Sequence, residues 1–452
     1  MDSQPAVGGK SWGNLLLGEL ASAWRSIRTN PYGWIVVVIA AFAMVATLPG
    51  RTYGLGMITE RLLADPAFGL DRVSYADMNL WATLLGGLFC LPCGYLIDRF
   101  GLKINLTVTV VALGLVVIGM TRLNGWWPLF IALVLTRGFG QSALSVISIT
   151  MVGKWFKGPM TLPMAVYTLL LSMGFAYSFQ LAKPYAAPMD WREIWGGMGW
   201  LLLLVMTPLA LLLPRERIVP RAADAKLGLD GQGPDATKAE TGFTLFQAMC
   251  TPTFWVFGLS ISVIALIGSG NSLFNESVLK QQGFSTAVYY NLATLTGTVA
   301  LIFKLPVGWI GQRCPLNMMN AVGLFILAAC LFWFPFVRTE TTITLYGILM
   351  GVSGSITTIL FFSIWGQAYG RAHLGLIQSV AQMMTVLASA LGPKVFAECF
   401  DRFGSYVPAF QILAGIVALL AVWSLLVRVP SPEDAAQFVD TPRGLTAAQE
   451  PC

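Results

Sequence analysis

Three basic residues interrupt long apolar runs of this chain: Arg51, Arg137 and Lys304. A bare charge at a bilayer centre costs at least about 2.5–3.5 kcal/mol, so such residues face a bundle interior or a water-filled cavity. Eighteen helical residues separate Gly33 from Arg51, a rise of ~27 Å, and nine separate Lys304 from Arg313, ~13 Å. Both are too deep to reach a headgroup comfortably. The apolar runs hold no Asp or Glu near their centres: Asp98 stands at an inner edge, and Glu60, Glu276 and Glu398 stand near outer ends. Fixed positive charge without a counter-ion calls for an anionic substrate, and an arginine fork matches a carboxylate with two bonds. Arg51 and Lys304 are therefore the expected carboxylate ligands, with snorkelling or internal pairing as the competing reading. Arg137 has a structural or relay role as its expectation, tied to backbone carbonyls.

Other polar residues are less specific. Asn271 with Asn275, and Gln378 with Gln382, lie four apart on helix faces. Asn271 and Gln382 are candidate substrate contacts; polar helix packing serves equally well. Tyr289 and Tyr290 read as interface anchors, and Lys394 as a snorkelling residue. His373 has no visible partner for proton handling. Cys90 and Cys93 form a lone CxxC inside a run and read as small packing residues. No metal-ligand cluster, phosphate loop or nucleophile–base–acid set is present, so neither an enzyme nor a cofactor is expected.

These groups need a scaffold. Apolar residues make up 56% of the 452 and charged ones 11%, a membrane composition. A span takes roughly 20 apolar residues, and lipid leaves only helices and closed barrels. The runs fit helices: 33–62, 75–98, 103–121, 126–153, 160–186, 193–213, 253–279, 286–311, 315–337, 342–368, 374–399 and 405–427. The first thirty residues carry no cleavable signal. A stripe of Trp12, Leu16, Leu20, Trp24 and Ile27 predicts an amphipathic helix on the membrane face or on the protein's own loops. Placing the termini inside puts sixteen Lys and Arg on that side against eight outside. The net charge of +6 follows this topology and gives no reason to invoke nucleic acid.

The expected organisation is a cytoplasmic segment over 1–31, a six-helix bundle over 32–213, a charged linker over 214–247, a second six-helix bundle over 248–428 and a disordered tail over 429–452. The halves echo each other, with Pro92-Cys93-Gly94 before Asp98-Arg99 in one and Pro306-Val307-Gly308 before Gln312-Arg313 in the other. Such repeats accompany rocking around a midplane site.

At Gly94-Tyr95-Leu96-Ile97-Asp98-Arg99-Phe100-Gly101-Leu102-Lys103 the chain resembles the major facilitator superfamily, whose loop after the second span reads G-x-L-x-D-R-x-G-R-K/R. Gly94, Leu96, Asp98, Arg99, Gly101 and Lys103 match, and Leu102 departs. The resemblance implies twelve transmembrane helices in two pseudo-symmetric bundles, with this loop latching the inner gate. Three further stretches are similar to the monocarboxylate and oxalate–formate porter branch. They are Asn30 to Val37 (D-G-G-W-G-W-x-V), Gly153-Lys154-Trp155-Phe156-Lys157 (G-K/R-W/Y-F-x-K/R) and Ile302 to Gly308 (I-F-A-R-P). The G-x-x-x-G-P antiporter signature is absent around Leu169 to Ser178. Where proton-coupled members of that branch place an Asp before the eighth-span Arg, this chain has Ala300. Anion exchange or substrate-borne protons would replace it. The leading expectation is a monocarboxylate transporter in the cell membrane. The alternatives are a same-fold transporter of a neutral solute or drug, and a non-transporting membrane sensor.

Overall fold

The computed structural model describes residues 31–70, 72–156, 160–186, 190–213 and 242–436, without the side chains at 53, 60, 72, 73, 179–186, 272–277, 286, 287, 289 and 290. The expected amphipathic stripe, most of the linker, the tail beyond 436, and Lys157, Asn275, Tyr289 and Tyr290 lie outside what is described. Among the described residues no strand forms, only an isolated bridge between Gly242 and Gly370.

Eleven helices are long and apolar enough to cross a membrane, and a shorter apolar helix precedes them. In chain order they are α1 (Pro31–Val45), α2 (Ser74–Phe100), α3 (Leu102–Met120), α4 (Trp126–Trp155), α5 (Thr161–Ala186) and α6 (Trp191–Leu211). The second half holds α7 (Pro252–Gln281), α8 (Thr286–Ile310), α9 (Leu316–Trp333), α10 (Glu340–Tyr369), α11 (Leu374–Phe403) and α12 (Val407–Leu426). These are the twelve helices of two six-helix bundles. Within the first, α1 packs on α4 and α5, α2 on α4, and α3 on α6; within the second, α7 packs on α11 and α12, α8 on α10, and α9 on α10 and α12. The halves meet where α11 crosses α2 and α4, and where α5 runs along α8 and α10. Thr244 closes a capping box with Gln247 and starts a helix at Leu245–Met249, across the end of the expected linker. A 3₁₀ turn, Pro432–Ala436, begins the expected tail.

The first span departs from a continuous 33–62 helix. It stops at Val45, makes a 3₁₀ turn at Leu48–Gly50, and resumes as Thr52–Gly56 and Thr59–Ala64. Pro49 has no amide hydrogen to donate back one turn, so the ladder breaks there. Arg51 is extended at the break, with φ −92° and ψ 150°. The depth of Arg51 along a straight helix therefore does not carry over. Gly50 sits so close to α4 that a Cβ would lie 2.6 Å from the amide nitrogen of Gln141 and from the carbonyl of Thr136. Opposite it, α4 widens into a π-helical turn at Arg137–Leu144. Broken backbone is tolerated inside a bundle when side chains satisfy the freed groups.

Candidate substrate site and gate

Arg137 supplies that satisfaction. Its Nη1 donates to the Gly50 carbonyl at 3.2 Å, to Thr52 Oγ1 at 3.0 Å and to Gln141 Oε1 at 2.9 Å, and its Nη2 donates to Asn79 Oδ1 at 3.2 Å. The side chain is buried. Its acceptors are one backbone carbonyl, one hydroxyl and two side-chain amide oxygens, three of the four on or beside the α1 break and α4.

Arg51 folds back along α1. Nε donates to Thr47 Oγ1 at 3.0 Å, and Nη2 donates to Ser145 Oγ at 2.9 Å and to Met44 Sδ at 3.0 Å. Its Nη1 has no partner among the described residues. Lys304 is 6% exposed. Its Nζ donates across the halves to the Thr168 carbonyl at 2.8 Å and to Ser172 Oγ, both on α5. An ammonium has three hydrogens, so one donor is left.

The two cations do not share a partner. Separate polar contacts lie between them on α4 and α5. Ser145 and Ser148 lie one turn apart on α4; the Ser148 and Tyr167 hydroxyls are 2.7 Å apart; and Tyr167 adjoins Thr168. Gln382 is buried and forms no hydrogen bond among the described residues, and Gln378 keeps an unpartnered Nε2. Asn271 is half-buried on α7. No described Asp or Glu lies in the middle of any of the helices α1 to α12, and neither Arg51 nor Lys304 has an acidic partner among the described residues.

The expected gate residues lie at the bundle end where α2 stops. Gly94 allows α2 to meet α11 closely: a Cβ there would stand 2.6 Å from the Gly375 carbonyl. This approach puts Asp98 at the start of α11. Its carboxylate accepts from the Gly375 amide at 3.2 Å and the Leu376 amide at 3.0 Å, and pairs with Lys154 at 3.2 Å. A carboxylate at a helix N-terminus satisfies orphan amides and meets the positive end of the dipole. The side chain is 1% exposed, so it is no solvated loop charge. Gly101 takes φ 78°, a conformation that favours glycine, to start α3. Arg99 turns outward onto the Tyr95 hydroxyl at 2.7 Å, and Lys103 forms no ion pair among the described residues.

A model of the Major Facilitator Superfamily matches this chain over residues 56–393 and 257–449. The chain belongs to the Major Facilitator Superfamily. As a member of the superfamily it is a multi-pass membrane transporter and not an enzyme. Solved structures with the same fold include the human organic anion transporter MFSD10 (TETRAN), at 15% identity and TM-score 0.59, covering 88% of this chain and 99% of that one. The proton:xylose symporter XylE gives 14% identity and TM-score 0.64, covering 90% and 99%. FucP in the outward conformation gives 13% identity and TM-score 0.59, covering 88% and 98%. A search of curated protein sequences gives no match.

Several polar contacts at this end of the bundle have no local signal in the sequence. Lys154 stood in a quoted stretch, yet nothing local linked it to Asp98. Arg371 donates across the halves to the Lys154 carbonyl at 2.7 Å. Gln367, with its amide oriented to satisfy both groups, accepts from the amides of Met160 at 2.8 Å and Thr161 at 3.3 Å. It caps α5 from α10, as Asp98 caps α11 from α2.

At the opposite end, Asp65 ties the loop after α1 to α6. It accepts from Trp191 Nε1 at 3.0 Å and from the Ala67 amide at 3.0 Å, and pairs with Arg192. Burial pushes the carboxyl up, but donation from Trp191, Ala67 and Arg192 outweighs it and holds the pKa below its ordinary value. A depressed folded-state pKa gives stability that is present above the unfolded value and lost as pH falls through the folded one. Asp65→Asn is expected to melt below wild type at neutral pH, with the gap closing on acidification. A gap that stays constant into acid would show that the carboxylate charge is not what holds the loop.

Proposed function

We propose that this superfamily member is a secondary active transporter of small organic anions, monocarboxylates first. It works by rocker-switch alternating access in the cell membrane, with both termini cytoplasmic. Arg51 and Lys304 bind the carboxylate, and Asn271 and Gln382 are placed to contact the rest of the substrate. The observation that carries this reading is that both cations keep unspent donors and lack an acidic partner among the described residues. The resemblance to the monocarboxylate and oxalate–formate branch agrees with it. So does the positive-inside count, which sets the orientation. The solved structures of this fold do not choose a substrate, since they include an organic anion transporter and a xylose symporter.

A neutral-solute reading has its own support. Both cations already hold neutral acceptors: Ser145, Thr47 and Met44 for Arg51, and Thr168 and Ser172 for Lys304. Uptake into proteoliposomes separates the two. Labelled lactate and acetate are expected to enter, and labelled xylose is not; the reverse result would establish the neutral-solute reading.

The coupling expected is anion exchange or protons carried by the substrate, because Ala300 stands where a coupling carboxylate would be. Uptake is therefore expected to rise with internal anion or with an inward proton gradient. A proton dependence abolished by changing Glu276 or Glu398 would instead assign coupling to a side chain.

A further inference from the structure

The contact between α5 and α8 is built in registers of three and four residues. From the Asp98 end, Gly311 packs on Thr161, Gly308 packs on Thr161 and Ala165, and Lys304 bonds Thr168 and Ser172. That is knob-and-hole spacing between two antiparallel helices from opposite halves. Its lower levels are made by glycines, against which a Cβ would stand 2.3 Å from Ala165 Cβ and 2.8 Å from Thr161 Cγ2. Small residues let helices approach but provide no polar hold. The uppermost level is different in kind: a buried ammonium of one half is held by a carbonyl and a hydroxyl of the other.

We infer that Lys304 is a substrate-responsive clasp, and that Ser172 is the positioning residue that sets its strength. This rests on the carboxylate-binding reading of Lys304. In the arrangement seen here Thr168 and Ser172 hold two of the three ammonium hydrogens, which ties α5 to α8 and keeps the Asp98 end closed. A carboxylate is a stronger acceptor for an ammonium than a neutral carbonyl or hydroxyl. Once it binds, Lys304 turns to it and α5 is released. A ligand moves a conformational equilibrium only through unequal affinity for the two states, and competition for one ammonium supplies that inequality. Ser172 then opposes substrate binding, whereas a substrate ligand would assist it.

The experiment uses full-length protein with spin labels at Ile104→Cys and Met318→Cys, exposed positions near the starts of α3 and α9. Cys250, Cys314 and Cys452 are replaced by Ser. Distances are measured with and without lactate, and lactate affinity is measured on the same variants. Lactate is expected to lengthen the distance in wild type. Ser172→Ala is expected to lengthen it without lactate, by a roughly tenfold shift in the open-to-closed ratio, and to bind lactate several-fold more tightly. Ser172→Thr keeps a hydroxyl and is expected to restore both values. A Ser172→Ala variant with wild-type distances, or with weakened lactate binding, would overturn the clasp. Failure of the carboxylate site itself shows separately, as unchanged lactate affinity in Arg51→Gln and Lys304→Gln.

Discussion

Arg51→Gln and Lys304→Gln are each expected to weaken carboxylate binding about tenfold or more. A hydrogen bond to a charged group contributes roughly 1.5–3 kcal/mol, and 1.4 kcal/mol is a factor of ten. Each variant removes one of the two cations proposed to hold the carboxylate, neither of which has an acidic partner among the described residues. Lys304→Gln also weakens the hold of α8 on α5, so part of its loss is offset by easier release of Thr168 and Ser172. Arg51→Lys is expected to bind weakly as well. A lysine is a point charge and cannot serve Thr47 and Ser145 while gripping a carboxylate with a second prong. The double variant is expected to lose less than the sum of the singles if both cations grip one anion. Substrate-induced thermal shift on purified protein measures this, after folding of each variant is confirmed. Wild-type affinity in both single variants would remove the anion site and favour a neutral solute.

The second large effect is at the gate. Asp98→Ala leaves the Lys154 ammonium and the amides of Gly375 and Leu376 without their acceptor. Removing one member of a buried ion pair costs about 3–5 kcal/mol. Lys154 lies in the same half as Asp98, so the cost specific to the closed state is that of the two α11 amides of the other half, roughly 1.5–3 kcal/mol for each charge-assisted bond. The open-to-closed ratio is therefore expected to rise by two orders of magnitude or more, read as a lengthened distance between labels at 104 and 318. Asp98→Asn keeps a neutral acceptor for one amide, so it is expected to slow transport while leaving lactate binding largely intact. Loss of equilibrium binding with preserved turnover would show that this loop is not a gate.

Composition and local pattern decided a good deal. Eleven of the apolar runs became spanning helices because each satisfies its own backbone within a short window of sequence. The Gly94 to Lys103 motif marked the superfamily and the close packing at the end of α2, since its glycines and carboxylate do local work at a helix end. The shortage of deep acidic residues was also legible, being a matter of counting. The break in the first span had a visible signal in Pro49-Gly50, but an apolar run of the right length hid it. What proline removes from the ladder is local; what makes the break tolerable is Arg137, 87 residues on from Gly50.

Partner choice belonged to the tertiary structure alone. Asp98 finds its acceptor role 277 residues away at Gly375, Lys154 joins it from α4, and Arg371 reaches back to the Lys154 carbonyl. Lys304 read as a free cation awaiting an anion; packing gave it Thr168 and Ser172, more than 130 residues earlier in the chain. The physical reason is one of range. A span is fixed by the transfer of its own residues into lipid, which a one-dimensional sequence records. A polar partner inside the membrane is fixed by which helices cross, at what depth and in which state of the rocking cycle. Those choices are set by small-residue contacts such as Gly94 on Gly375 and Gly308 on Ala165, and they exist only once both halves are folded against each other.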